Sequence, residues 1–224
     1  MKKHRLSTRL WHWINLLTLA ILFMSGLNIS NAHPHLYWGQ AGFDPRDAWL
    51  NVASFPGWAT IPGYYSLADS RWWHILFAWV FAIGLILFLL IALVNGHFRR
   101  DIVARRNEWL WSEIKADIAA HLRLDFHHGG GKYNFLQKLA YAIVLFILLP
   151  LMLLTGMAIS PGMDAALPWL VDVFGGRQSA RSIHFIIAWG LFGFLVIHIA
   201  LVLLSGPVRQ MGDMITGGRS DEAA

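Results

Sequence analysis

The 224-residue chain reads as an all-α membrane protein: a four-transmembrane-helix bundle with an interfacial amphipathic helix in the loop after the second span. Three observations predict this. Hydrophobic residues make up 56 % of the chain, charged residues only 14 %, and the mean hydropathy is +0.48. Apolar runs at 10–29, 72–94, 136–159 and 183–204 each approach the roughly 20 residues that cross a bilayer as helix. The twelve Trp and fourteen Phe suit interfacial belts and lipid-facing surfaces.

Each element follows in order. The start, MKKHRLSTRL, is basic, but run 10–29 is longer than the core of a signal peptide and no small-residue cleavage site follows, so it reads as an uncleaved first span. Residues 30–71 hold NAHPHLYWGQAGFDP and FPGWATIPGYY, too many breakers for a span. Their aromatics suggest an ordered cap on the membrane surface or a docking surface. In the connection 95–133, Leu110, Ile114, Ile118 and Leu122 recur every four residues beside Trp109 and Trp111, which predicts a helix lying in the interface. His127, His128 and three glycines read as a flexible turn, and 207–224 as a short, frayed tail. Residues 1–224 form one domain on this reading.

Charge supplies orientation. Fourteen Lys and Arg fall on the side of both termini and the 95–133 loop, against four (Arg46, Arg71, Arg177, Arg181) on the other. The positive-inside rule puts both termini and the amphipathic helix on the cytoplasmic side. The net charge of +5 is thus a topology signal, and no nucleic-acid partner is expected. The absence of cysteine excludes disulfides, thiolate iron–sulfur ligation and covalent haem attachment through CxxCH.

The last run, IHFIIAWGLFGFLVIHIALVLL, carries His184 and His198, 14 residues apart. That spacing returns both to nearly one helix face, about 21 Å apart along the axis. His12 enters from the cytoplasmic side and His74 from the periplasmic side. Four intramembrane histidines therefore pair by depth, His12 with His198 and His74 with His184. Bis-imidazole haem ligation needs two such side chains on facing helices. The set predicts two b-type haems. Gly190 and Gly193, and Gly26, Gly84 and Gly156, would leave room for flat rings. One intramembrane histidine by itself is equally a hydrogen-bonding group. The histidines at 4, 33, 35, 97, 121, 127 and 128 read as surface groups, without the spacing of a dedicated zinc site.

RLWHWINLLTLAILFMSGLNI, RWWHILFAWVF, KYNFLQKLAY and the His-x13-His of the last span resemble the bacterial di-haem cytochrome b family, the prokaryotic cytochromes b-561 that serve nickel–iron hydrogenases and formate dehydrogenase. NAHPHLYWG is similar to thiosulfate reductase-like members. The resemblance implies electron transfer between a quinone, ubiquinone or menaquinone, and a periplasmic redox partner such as a molybdopterin oxidoreductase. It also implies that Asn134, Gln137 and Lys138 bind quinone near the cytoplasmic haem; Asn134 reads equally as a helix N-cap. Arg9, Arg71, Lys138 and Arg181 could pair with haem propionates or anchor at headgroups. Two other readings stand beside it: a stand-alone superoxide:quinone oxidoreductase, and a His-lined metal transporter, which would lack the intramembrane carboxylates usual in coupled transport.

Overall fold

The computed structural model describes residues 5–96, 98, 106–123 and 134–218. The 127–131 turn and the final residues of the tail lie outside them. Four helices are long and apolar enough to cross a membrane: α1 (Leu6–Ala32), α2 (Leu67–Val94), a third at Phe135–Ile159, and α8 (Arg177–Leu204). The interfacial helix is α3 (Trp111–Leu122). The third span is built from α4 (Phe135–Ile143), a wide π turn over Val144–Leu148, and α5 (Leu149–Ile159). Pro150 lies just beyond that turn. Proline has no N–H to give the helix ladder and its ring crowds the carbonyl four residues back, and a π turn is a usual accommodation.

The helices begin earlier than the apolar runs suggest. α2 starts at Leu67 because Ser66 caps it: the Asp69 N–H donates to Ser66 Oγ at 3.3 Å and Ser66 Oγ donates to the Asp69 carboxylate at 2.9 Å, a side-chain N-cap. α1 reaches back to Leu6, which places His12 seventh in the helix rather than at its start.

Side-chain placement inverts that of a water-soluble protein. Large apolar groups face outward along the spans, with Leu93, Ile197 and Leu203 all more than 60 % exposed, while Ser25, Ser70, Thr155 and Ser182 are fully buried. Small hydroxyl residues let helices approach closely where lipid, not water, lies outside.

The chain divides into two compact units. One comprises Met1–Trp11, Ile86–Leu149 and Gly193–Ala224. Its core packs Phe88, Ala92 and Phe98 with Trp11, Leu89, Ala142 and Leu145. The tail expected to fray is instead largely helical, as α9 (Pro207–Thr216). Arg9 makes the difference by donating to the carbonyls of Met214 and Ile215, which satisfies groups that a helix C-terminus otherwise leaves bare.

The other unit comprises His12–Leu85 and Pro150–Phe192. Here the long connection after α1 is an ordered cap. A two-residue strand β1 (His35–Leu36) pairs antiparallel with β2 (Leu50–Asn51). Asn28 donates to the carbonyls of Pro62 and Tyr64 at 3.1 and 2.9 Å, and Asn31 exchanges two bonds with the Phe55 backbone. Ser182 Oγ, on α8, donates to the Tyr37 carbonyl at 2.6 Å and accepts from Trp49 Nε1 at 2.9 Å. Gly176 is obligatory at the crossing: its φ is +116°, and a Cβ there would stand 2.4 Å from the Gly39 carbonyl. Between the third span and α8, two short helices, α6 (Pro161–Ala166) and α7 (Trp169–Val173), complete the cap.

Candidate functional site

His74 and His184 occupy equivalent places, each the eighth residue of a 28-residue helix. Their ring centres lie 6.3 Å apart with planes at 62°. With an imidazole–metal bond of about 2 Å and a ring centre about 1.1 Å behind its nitrogen, two rings ligating one ion from opposite sides are centred about 6.2 Å apart. The observed spacing therefore fits the haem iron expected between them.

Each ring is held from behind by the neighbouring helix in sequence. Ser25 Oγ on α1 lies 3.0 Å from His74 Nδ1, and Thr155 Oγ1 on α5 lies 2.9 Å from His184 Nδ1. The adjoining glycines flank the same rings. A Cβ on Gly26 would sit 3.5 Å from His74 Cε1, and one on Gly156 would sit 3.3 Å from His184 Cε1. Glycine here makes room for imidazole. A Cβ on Gly190 or Gly193 would meet nothing within 4 Å, so the space beside those two is open.

The same unit holds an aromatic cluster. Phe23 of α1 stacks on Phe192 at 4.6 Å and meets Trp189 edge-on at 5.3 Å, joining α1 to α8. Arg71 and Arg181 each stand three residues before a histidine, one turn toward the cap. Their charges converge on His33: its pKa lies below the ordinary 6.5, through burial first, then through the guanidinium of Arg181 and that of Arg71. Two cations gathered at one end of the imidazole pair are chemically suited to carboxylates such as propionates.

The remaining candidates are placed as follows. His12, in this same unit, meets Trp13 edge-on at 5.0 Å. In the other unit, the His198 ring stacks on Phe194 at 5.9 Å. Asn134 caps α4, its backbone N–H donating to Gln137 Oε1 at 3.2 Å, while its buried Nδ2 has no partner among the described residues. Lys138 is buried and paired with Glu108 at 2.7 and 3.0 Å. Arg9 is engaged with the end of α9. His35 is held by Asn51 at 2.6 Å.

Ser25 and Thr155 escape a search for metal ligands, because a hydroxyl in an apolar helix looks unremarkable. The signal that finds them is an internal echo. MSGLNIS (24–30) recurs as LTGMAIS (154–160), and RWWHILFAW (71–79) recurs as RSIHFIIAW (181–189). The first pair supplies the hydroxyl and glycine, the second the arginine and histidine.

The family model for prokaryotic cytochrome b561 matches residues 3–217. A subunit named for protein-methionine-sulfoxide reductase, YedZ1 of Azospira oryzae, is 26 % identical over 88 % of this chain and 87 % of its own. Proteins named as nickel–iron hydrogenase B-type cytochrome subunits are 22 % identical in Cupriavidus necator (95 % of this chain, 84 % of theirs) and 25 % identical in Azotobacter vinelandii (94 % and 85 %). No solved structure matches the chain. With facing imidazoles set among membrane helices and a family match across nearly its whole length, the chain belongs to the prokaryotic cytochrome b561 family, multi-pass membrane proteins that carry b-type haem for electron transfer.

Proposed function

We propose that this cytochrome holds two b-type haems in a bacterial inner membrane, one between His74 and His184 on the periplasmic side and one between His12 and His198 on the cytoplasmic side. It would connect the quinone pool to a periplasmic redox enzyme. The observation that carries this reading is the His74–His184 spacing of 6.3 Å.

The haem supplies a one-electron iron couple when bound. The chain's own residues set its surroundings. His74 and His184 offer imidazole nitrogens, and Ser25 and Thr155 orient the rings. Arg71 and Arg181 are placed to neutralise propionates at the cap. Asn134, Gln137 and Lys138 would bind a quinone near the second haem, the buried Asn134 Nδ2 being a ready donor to a carbonyl oxygen. The relatives are all named as subunits of larger enzymes, which supports a partnered cytochrome over a stand-alone superoxide:quinone oxidoreductase. A periplasmic molybdopterin oxidoreductase remains the proposed partner. Membership of a haem-carrying family favours this reading over a metal transporter.

The test is a dithionite-reduced minus oxidised spectrum of the purified chain, with haem counted per polypeptide. Two b-type haems are expected; one would remove the His12/His198 pair, and none would overturn the reading. Purification from native membranes tests the partner, which should come down as a redox enzyme subunit.

A further inference from the structure

The environment of the two facing imidazoles decides which ring nitrogen is available. Ser25 Oγ lies 2.7 Å from the Ile21 carbonyl and 3.1 Å from that of Leu22; Thr155 Oγ1 lies 2.7 Å from the Leu151 carbonyl and 3.2 Å from that of Met152. A hydroxyl has one hydrogen, and here the helix carbonyls take it. Toward histidine each hydroxyl can then act only as an acceptor, so Nδ1 must carry the hydrogen. A neutral imidazole has a single N–H, which leaves Nε2 with its lone pair.

We propose that Ser25 and Thr155 are positioning residues that fix His74 and His184 as Nδ1-protonated tautomers, presenting Nε2 as the ligating atom. The inference rests on the reading that this pair ligates haem. Serine and threonine within helices routinely bond the carbonyl four residues back, which accounts for the donor half of each arrangement. It does not account for both hydroxyls also meeting a histidine on another helix, with glycine next in sequence to clear the ring. The same four-part device, hydroxyl, carbonyl, glycine and imidazole, is built twice from helices 130 residues apart. A hydroxyl is moreover a weaker acceptor than a carboxylate. It orients the ring without drawing the hydrogen away, so the ligand stays a neutral imidazole.

Removing the acceptor makes the imidazole less basic and less able to hold oxidised iron. The experiment is a potentiometric titration of the purified full chain as wild type, Thr155→Val, Ser25→Ala, Thr155→Ser and Ser25→Thr, with low-temperature electron paramagnetic resonance of the oxidised protein. Thr155→Val keeps the side-chain volume and removes only the hydroxyl. In Thr155→Val and Ser25→Ala, the midpoint potential of one haem should rise and its resonance should shift. Its affinity should fall about 10–100-fold, as outer-sphere partners of metal ligands typically require. Thr155→Ser and Ser25→Thr should match wild type, and the second haem should be unmoved. Unchanged potential and affinity in Thr155→Val overturns the assignment, because the hydroxyl then does nothing for the ring. Should Ser25→Ala fail to fold, Thr155→Val decides alone. A spectrum left intact by His184→Ala overturns the ligation reading itself, and the tautomer assignment with it.

Discussion

Among the described residues, the unit built around His74 and His184 buries only neutral polar side chains: Thr18, Ser25, Asn28, Thr60, Ser70, Thr155, Ser179 and Ser182. The other unit buries two charged ones, Asp117 and Lys138. The difference follows from what each must hold. Hydroxyls and amides satisfy helix and loop carbonyls at little desolvation cost. A buried charge demands a partner, and the second unit spends its charges on joining segments. Asp117 of α3 accepts the Leu136 N–H at 2.8 Å, and Lys138 of α4 pairs with Glu108. A low-charge interior suits ligation, and a charged one suits fastening a surface helix to a span.

The largest effect that could break this contrast is loss of a haem. His74→Ala and His184→Ala should each abolish the same haem and spare the other, read as halved absorbance per chain in the reduced spectrum. If each removed a different haem, the pairing would be wrong. Next comes the charged unit. Removing one partner of a fully buried ion pair costs about 3–5 kcal/mol. Glu108 retains 26 % side-chain exposure, so Lys138→Gln and Glu108→Gln should each cost about 1–3 kcal/mol after discounting for solvent screening. Thermal unfolding of the purified protein measures this. If Lys138→Gln lowers quinol oxidation and Glu108→Gln does not, the lysine also serves quinone; equal effects reduce it to a fastener.

A smaller effect separates the two glycines. Glycine to alanine within a helix gains about 1 kcal/mol by propensity. At Gly26 the new methyl meets His74 at an ordinary 3.5 Å, so Gly26→Ala should be neutral or slightly stabilising. At Gly156 the contact is 3.3 Å and His184 must yield. Gly156→Ala should lower haem occupancy, and equal occupancy in both variants would contradict the tight fit.

Smallest is a pH effect at the cap. His33 titrates below 6.5 in the fold, so between its folded and unfolded pKa values the unfolded chain binds more protons. Stability is then full above about 6.5 and falls as pH drops through that window. Thermal melts from pH 7.5 to 5 should show His33→Gln flattening this dependence. Arg181→Gln should weaken it, and an unchanged slope would remove the arginines from His33's surroundings.

The four spans were legible because their apolar runs are long and carry one charge among them, Lys138. Their ends were not, since Ser66 and Asp69 set the start of α2 through side-chain bonds that hydropathy ignores. The histidines were legible as costly polar groups in lipid. The glycines were legible as space beside a ring, but not beside which ring: Gly26 and Gly156 flank imidazoles, a matter of helix rotation rather than composition. Helix α9 was hidden for a different reason: the side chain that completes it comes from Arg9, some 205 residues away, and no local pattern carries that information.

That last bond also bears on how the protein can be handled. Because Arg9 at the head of the first span reaches the carbonyls closing α9, the two ends of the described chain lie close together. Reporter fusions at either end should therefore give the same topology signal. Ends held this close also invite a circular permutant, joined from residue 218 to residue 5 by a short flexible linker and reopened in a surface connection.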